Sequence, residues 1–147
     1  MQTFLPFSSF EKSAEVLDYR RLGKQRVECL QLLAVGIKLR DKDKVPWMNH
    51  PARLMWVGHE HQLAKYGLVM CTQWINLGYK DTCYDKIKAY LDLYPETSLP
   101  SWLGDEKIHS SHRAALLHKD FSFYKKYNWT ESPIQEYVWP VQINKKE

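Results

Sequence analysis

The segment PARLMWVGHEHQLAKYGLVMCTQWINLG, residues 51–78, decides the fold class of this chain. Its large apolar and aromatic residues recur every three or four positions, which is the spacing of one face of an α-helix. Pro51 can occupy a first helical position, and Gly78 stands where helices commonly end on glycine. The sequence therefore predicts one long helix over this segment. Its buried face would comprise Met55, Trp56, His59, Leu63, Tyr66, Met70 and Trp74.

Comparable patterns before and after this segment predict four further helices. Ser8, followed three positions later by Glu11, fits a capping box that begins a short helix ending near Leu17. The polar run RDKDK, which is followed by Pro46, is expected to form a turn after the second helix. With the central segment included, the predicted helices are about 9–17, 27–39, 51–78, 84–94 and 105–119.

The C-terminal part of the chain departs from this helical pattern. After Lys119 the sequence is aromatic and basic, and EYVWP, residues 136–140, is expected to be extended with its rings packed on the core. No internal repeat and no long linker divides the chain. The sequence therefore predicts a compact all-α fold of about five helices. It would be a single domain over residues 1–147 with an aromatic-rich extended C-terminal tail.

Length and composition exclude several classes of protein. At 147 residues the chain is long enough to bury a substantial core. No segment approaches the roughly 18 uninterrupted apolar residues of a membrane span, and the N-terminal MQTFLPFSSFEK has no signal-peptide pattern. The three cysteines form no CxxC pair, which suits buried thiols in a reducing compartment. We therefore expect a cytoplasmic protein that does not bind membranes. The sequence assigns no oligomeric state.

The stretch LDYRRLGKQRVE, residues 17–28, is the first of three polar clusters. It contains four cations within seven positions: Arg20, Arg21, Lys24 and Arg26. If the stretch is helical, Arg20, Lys24 and Glu28 share one face, whereas Gly23 favours a break there. Either arrangement offers cations to phosphate groups. A solvated charged helix face is the alternative.

The second cluster is WMNHPARLMWVGHEH, residues 47–61. Asn49 and His50 immediately precede a predicted helix, where free backbone N–H groups favour an anion. Arg53 follows one turn into the helix, and His59 about two turns after that. The alternative is that Asn49 is a simple helix cap and that His59 is a hydrogen-bonded core histidine.

The third cluster is WLGDEKIHSSHR, residues 102–113. Asp105 marks a helix start, and His109 and either His112 or Arg113 fall on the same face. A carboxylate can orient an imidazole, and a histidine that titrates near neutral pH can transfer protons or contact phosphate.

The histidine patterns do not predict a metal centre. The two histidines of HEH, residues 59–61, would lie on nearly opposite sides of a helix, and the HExxH pattern is absent. The chain also has no GxSxG elbow and no glycine-rich phosphate loop. We therefore expect neither a metal nor a cofactor. Three clusters with neighbouring aromatics could instead converge on one groove that suits nucleic acid.

Several motifs resemble, in order, the pyrimidine-dimer DNA glycosylases of the phage endonuclease V type. Tyr19-Arg20 in LDYRRL resembles the early Tyr-Arg stretch of this family, and Pro51 to His59 resembles its Pro…Gly-His segment. The predicted helix that ends in Leu77-Gly78-Tyr79 resembles the family's helix that ends in a glycine and an aromatic residue. IHSSHRAALLHKDFSFYKKYNW resembles its closing helix and aromatic tail. The resemblance is stronger to bacterial and phage relatives that carry WxxHPAxxMW, WLGDExxHxSHR and a YVWP ending.

The resemblance implies base excision: distortion of duplex DNA, cleavage of the N-glycosidic bond and β-elimination at the abasic site. In that family the N-terminal α-amine attacks, helped by a glutamate just after the Tyr-Arg pair. An α-amine suits this role because its pKa is about 8 in peptides. Here Arg21 stands at the position of that glutamate, and the nearest carboxylates are Asp18 and Glu28. Gln2 disfavours removal of Met1, so the attacking amine would be that of Met1.

The leading hypothesis is therefore a DNA base-excision enzyme that acts on damaged or modified pyrimidines in double-stranded DNA. The expected catalytic residues are Met1, Glu28 or Asp18, His109 and His112. The residues expected to bind nucleic acid are Tyr19, Arg20, Arg21, Lys24, Arg26, Asn49, His50, Arg53, His59 and Arg113. The alternatives are a non-catalytic nucleic-acid-binding protein and an enzyme acting on a nucleotide or another small phosphorylated substrate.

Overall fold

A computed structural model describes residues 1–142, and residues 143–147 of the predicted domain lie outside the described part. Within residues 1–142 the chain forms seven α-helices, one 3-10 helix and no strand. The α-helices are α1 (Phe10–Val16), α2 (Tyr19–Lys38), α3 (Pro51–Leu54), α4 (Glu60–Asn76), α5 (Tyr84–Leu93), α6 (Glu106–Lys119) and α7 (Phe121–Tyr124), and the 3-10 helix is Lys125–Tyr127. The prediction of a compact all-α fold is confirmed, with seven helices in place of about five.

Helix α2 begins earlier than its apolar pattern indicated and does not break at Gly23. The Asp18 side chain caps it by accepting from the N–H of Arg21. Glycine inside a helix costs about 1 kcal/mol relative to alanine. Here it makes room for Trp74, because a Cβ on Gly23 would lie 3.1 Å from that ring. The break predicted at Gly23 is therefore wrong. The basic stretch is helical.

The long helix predicted over 51–78 is divided in two. Gly58 adopts a φ of +83°, which L-residues rarely adopt, and it separates α3 from α4. The predicted end is confirmed, because Gly78 follows the C-cap residue Leu77 with a φ of +93°. At the first helix the capping serine is Ser9, whose Oγ accepts from the N–H of Lys12 at 3.1 Å, and not Ser8.

The core lies where α2 packs on α4, with α5 against both of these helices and α1 against α4. Its fully buried side chains include Leu22, Leu33, Leu63, Tyr66 and Met70. The C-terminal tail packs its Tyr137 and Trp139 rings against this core, as the sequence predicted. Among the helices of residues 1–142, none has the length and apolar character needed to span a membrane.

Candidate active site

A cavity of about 790 Å³ opens at the N-terminal half of α2. Its lining combines the start of the chain, one face of α2, the α6–α7 junction and the tail. From α2 come Tyr19, Arg20, Arg21, Lys24, Gln25 and Glu28, and from the other segments come Met1, Gln2, Phe4, Asp18, Lys119, Asp120, Phe123 and Tyr137. The predicted shared face of Arg20, Lys24 and Glu28 therefore borders one space.

The buried amide of Gln25 attaches the N-terminal segment to α2. Its Oε1 accepts from the Phe4 N–H at 2.8 Å and from the Tyr66 hydroxyl at 2.6 Å. Its Nε2 donates to the Gln2 carbonyl at 3.0 Å and to Glu28 Oε2 at 3.2 Å. The Gln2 N–H also faces Glu28 Oε2, at 3.4 Å. These bonds hold the beginning of the chain beside the Glu28 carboxylate.

The other end of this segment is held by two buried histidines of α6. The Leu5 N–H donates to His112 Nδ1 at 2.8 Å, and His109 Nδ1 donates to the Leu5 carbonyl at 2.8 Å. His109 Nε2 in turn accepts from the Gly104 N–H at 2.9 Å. Burial lowers the pKa of His112 to about 3, so its imidazole is neutral. Neither histidine lines the cavity, and both anchor the segment that does.

Replacing His112 by asparagine is expected to make stability less sensitive to acid. As the pH falls from about 6.5 toward 3, the unfolded chain protonates this imidazole and the folded chain does not. The unfolding free energy therefore falls by up to about 1.4 kcal/mol per pH unit through this group. Asparagine keeps an acceptor for the Leu5 N–H and removes the titration. Urea denaturation between pH 4 and 7 measures the slope.

The exposed His118 of the same helix provides the matched control. His118→Asn should leave the pH slope of the unfolding free energy unchanged. An unchanged slope in the His112 variant would contradict the structural role of its neutral imidazole.

The two predicted carboxylates occupy different environments. Asp18 accepts from the N–H and the guanidinium of Arg21, at 3.3 and 3.1 Å, and from the Tyr124 hydroxyl. Burial opposes ionisation of Asp18, but these hydrogen bonds outweigh it and lower its pKa. Glu28 is half-buried, and its hydrogen bonds within residues 1–142 all go to Oε2. Glu28 Oε1 is therefore the more available carboxylate oxygen for a bound molecule.

Of the four cations in the first cluster, three line the cavity: Arg20, Arg21 and Lys24. Arg26 does not, because its guanidinium pairs with Asp81 at 2.5 Å and lies 4.4 Å from the Trp74 ring. Arg113, predicted as a phosphate contact, is likewise engaged in structure. It pairs with Glu106 and Glu131.

The second cluster lies outside the cavity lining. His50 caps α3 by accepting from the Ala52 N–H at 3.0 Å, Arg53 donates to the Met48 carbonyl at 3.4 Å, and Asn49 is exposed. His59 pairs through Nδ1 with the Ser98 carbonyl at 2.9 Å. Burial and the positive charge of the Met1 amine both lower the pKa of His50. Both effects favour the neutral imidazole of His50.

Several cavity residues were missing from the sequence-based prediction of the site. Gln25 was not among the residues that the sequence predicted for the site. Phe123 and Tyr137 reach the cavity from the far end of the chain, and burial raises the pKa of the Tyr137 phenol to about 12. Helical spacing from Lys24 and Glu28 would have placed Gln25 near that face. Nothing local predicts the two aromatic walls.

A family model described as pyrimidine dimer DNA glycosylase matches residues 1–87, more than half of the 147-residue chain. The matched span contains the N-terminal segment and the whole of α2. No curated protein and no solved structure matches the chain.

Proposed function

Because the chain belongs to the pyrimidine dimer DNA glycosylase family, we propose that it excises damaged or modified pyrimidines from duplex DNA and cleaves the resulting abasic site. One observation carries the proposal. The Met1 end of the chain, the Glu28 carboxylate and exposed cations of α2 border the same cavity. Those three kinds of group are the nucleophile, the charge stabiliser and the phosphate contacts that such a reaction needs.

The cavity suits a nucleotide in size and chemistry. Its volume of about 790 Å³ lies in the range of small-molecule sites, about 300–1,000 Å³. Phe4, Phe123 and Tyr137 supply aromatic walls for a base or a sugar, and Arg20 and Lys24 stand at the same opening for the flanking phosphates. An enzyme that acts on a base must take it out of the helix, and such a pocket can receive it.

We propose that the neutral α-amine of Met1 attacks C1′ of the target nucleotide. A C1′–N bond to the protein forms as the glycosidic bond breaks, and the base leaves with the bonding electrons and takes up a proton. Sugar ring opening moves an amine proton to O4′ and yields a protein-bound iminium. Loss of a proton from C2′ then expels the 3′ phosphate by β-elimination. The Glu28 carboxylate stabilises the positive charge that develops at C1′.

Between the two carboxylates, we assign this role to Glu28. The Gln2 N–H lies 3.4 Å from Glu28 Oε2. Because Gln2 directly follows Met1, the Glu28 carboxylate lies beside the residue that carries the proposed nucleophile. Asp18 already accepts three hydrogen bonds in capping α2 and binding Tyr124, and these would have to be broken for it to serve a substrate. In this proposal Glu28 takes the role of the glutamate that the family places directly after its Tyr-Arg pair. Glu28 lies about two helical turns beyond that position, which Arg21 occupies here, and on the same helix α2.

The test is incubation with ultraviolet-irradiated, modified-base and abasic duplexes, each with and without borohydride. We expect strand cleavage on at least one damaged duplex and on the abasic duplex, and a borohydride-trapped protein–DNA adduct. Intact mass of the purified protein establishes that Met1 carries a free amine. DNA binding without cleavage or adduct would favour a non-catalytic binding protein. Turnover of free nucleotides alone would favour an enzyme on small phosphorylated substrates.

Replacing Lys24 by glutamine is expected to weaken the salt dependence of DNA binding. One phosphate contact contributes about 0.9 to the slope of log K against log salt concentration. Lys24 is exposed at the cavity, so its loss should reduce the slope by about that amount for all DNA sequences. Fluorescence anisotropy between 50 and 200 mM salt measures it. The exposed Lys86 of α5 is the control, and Lys86→Gln should leave the slope unchanged.

A further inference from the structure

The side chain of Gln2 carries a buried amide nitrogen that has no hydrogen-bond partner within residues 1–142. Gln2 is only 3% exposed, and its Oε1 accepts from the Thr3 N–H at 2.8 Å. This bond identifies the oxygen end of the amide, so the end without a partner is the nitrogen with its two N–H groups. A buried donor that lacks an acceptor is unfavourable, and at the edge of a cavity it points to a ligand that supplies one.

The backbone of Gln2 is held on both sides. Its N–H faces Glu28 Oε2 at 3.4 Å, and its carbonyl accepts from Gln25 Nε2 at 3.0 Å. The next residue is held as well, because Thr3 Oγ1 accepts from the Trp56 Nε1–H at 3.1 Å and Thr3 is fully buried. The Gln2 amide is therefore presented by a fixed segment of the chain, and a donor placed in this way needs little reorganisation to bind an acceptor.

Gln2 lies between the two groups to which the proposed reaction assigns its chemistry. Met1 precedes it in the chain, Glu28 faces its N–H, and all three residues line the cavity. A nucleotide whose C1′ is attacked by the Met1 amine is therefore bound next to Gln2. The cations Arg20 and Lys24 at the same cavity have no acceptor to offer the Gln2 amide, because both are donors only. An oxygen of the bound nucleotide can supply the acceptor.

A pyrimidine nucleotide has such an oxygen beside the bond that breaks. The carbonyl oxygen O2 is attached to the ring carbon next to N1, and N1 is the atom that bears the sugar. When the C1′–N1 bond breaks, its electron pair remains on N1 and is shared with O2, so negative charge develops on that oxygen. An N–H that donates to O2 binds this charge more strongly than it binds the neutral carbonyl of the substrate. That difference is what accelerates the step.

We propose that Gln2 is a catalytic residue that activates the leaving base by donating a hydrogen bond from Nε2 to O2. This role rests on the proposed function and adds to it the group that stabilises the departing base, whereas Glu28 stabilises the charge at C1′. No covalent bond to Gln2 forms or breaks. The electron pair of C1′–N1 leaves with the base, which takes up a proton from water. A purine has no carbonyl next to its glycosidic nitrogen, so this contact selects pyrimidines.

The test separates release of the base from cleavage of a site that has already lost its base. Gln2→Glu removes the donor but keeps an acceptor for the Thr3 N–H, and Gln2→Met removes both polar groups. The substrate is an ultraviolet-irradiated duplex, or the modified-pyrimidine duplex that the wild-type protein processes fastest. The single-turnover rate of base release should fall by about 10²-fold or more in both variants, which is the usual effect of removing one donor to a developing oxyanion.

An abasic duplex is the internal control, because it has no base to release. Both variants should cleave it and form the borohydride-trapped adduct at the wild-type rate, and their affinity for DNA should be unchanged. Gln31→Met replaces an exposed glutamine of α2 outside the cavity lining and should leave both rates unchanged. Intact mass establishes that each variant retains Met1, and thermal unfolding establishes that it is folded.

If base release and abasic cleavage fall by the same factor, Gln2 only holds the chain start in place. The leaving-group role is then refuted, and the proposed function stands. Base release at the wild-type rate in both variants refutes the role as well. If the wild-type protein releases no base from any duplex, the proposed function fails, and the role of Gln2 fails with it.

Discussion

Glu28→Gln is expected to lower the rate of base excision by about 10²–10⁴-fold and to leave DNA affinity nearly unchanged. The substitution keeps the side-chain volume, and a glutamine oxygen can still accept from Gln25 Nε2, which donates to Glu28 at 3.2 Å. It removes the negative charge beside the chain start. Because the positive charge at C1′ develops only in the transition state, the loss should appear in the single-turnover rate and not in binding.

The matched variant is Asp18→Asn, which changes the other carboxylate at the same cavity. Asparagine also caps helices well, so the start of α2 should be preserved. The amide oxygen of asparagine can still accept the hydrogen bond that the Tyr124 hydroxyl donates to Asp18. We expect less than a tenfold effect on the excision rate and a modest loss of thermal stability. The reverse pattern, with the Asp18 variant inactive and the Glu28 variant active, would transfer the catalytic role to Asp18.

Blocking the Met1 α-amine by extending the chain with residues before Met1 is expected to abolish the borohydride-trapped adduct. Met1 lines the cavity, and the Gln2 N–H is only 3.4 Å from Glu28, so residues added before Met1 would move the terminal amine away from this carboxylate. Cleavage of abasic duplexes should fall by at least about 10²-fold, since the covalent route loses its nucleophile. Gel analysis of the adduct, with mass spectrometry of the N-terminal peptide, measures the effect.

Lys24 provides the decisive control, because its primary amine lines the same cavity. Lys24→Gln should weaken DNA binding but retain the adduct on the N-terminal peptide. If trapping persists after the α-amine is blocked and disappears in the Lys24 variant, the nucleophile is the lysine. Acetylation of the terminal amine keeps the chain length and should reproduce the effect of the extension.

The sequence by itself determined the helical architecture and one face of the cavity. The apolar spacing of residues 51–78 predicted helix in that region because burial of one face imposes a period of 3.6 residues. Its division at Gly58 was not predicted, since an isolated glycine is compatible with a continuing helix. Arg20, Lys24 and Glu28 were expected to share a face if their stretch was helical, and they do.

Only the tertiary structure decided which partners the polar residues of the three clusters bind. Arg26 and Arg113 were predicted to bind phosphate, as Arg20 was. In the structure Arg26 instead forms an ion pair with Asp81. Arg113 forms ion pairs with Glu106 and Glu131. The histidine at position 112 suggested proton transfer, but it binds the Leu5 N–H from 107 positions away. Local spacing encodes which face of a helix is buried. The pairing of a buried polar group depends on which distant backbone packs against it, because a group removed from water must find its partner there.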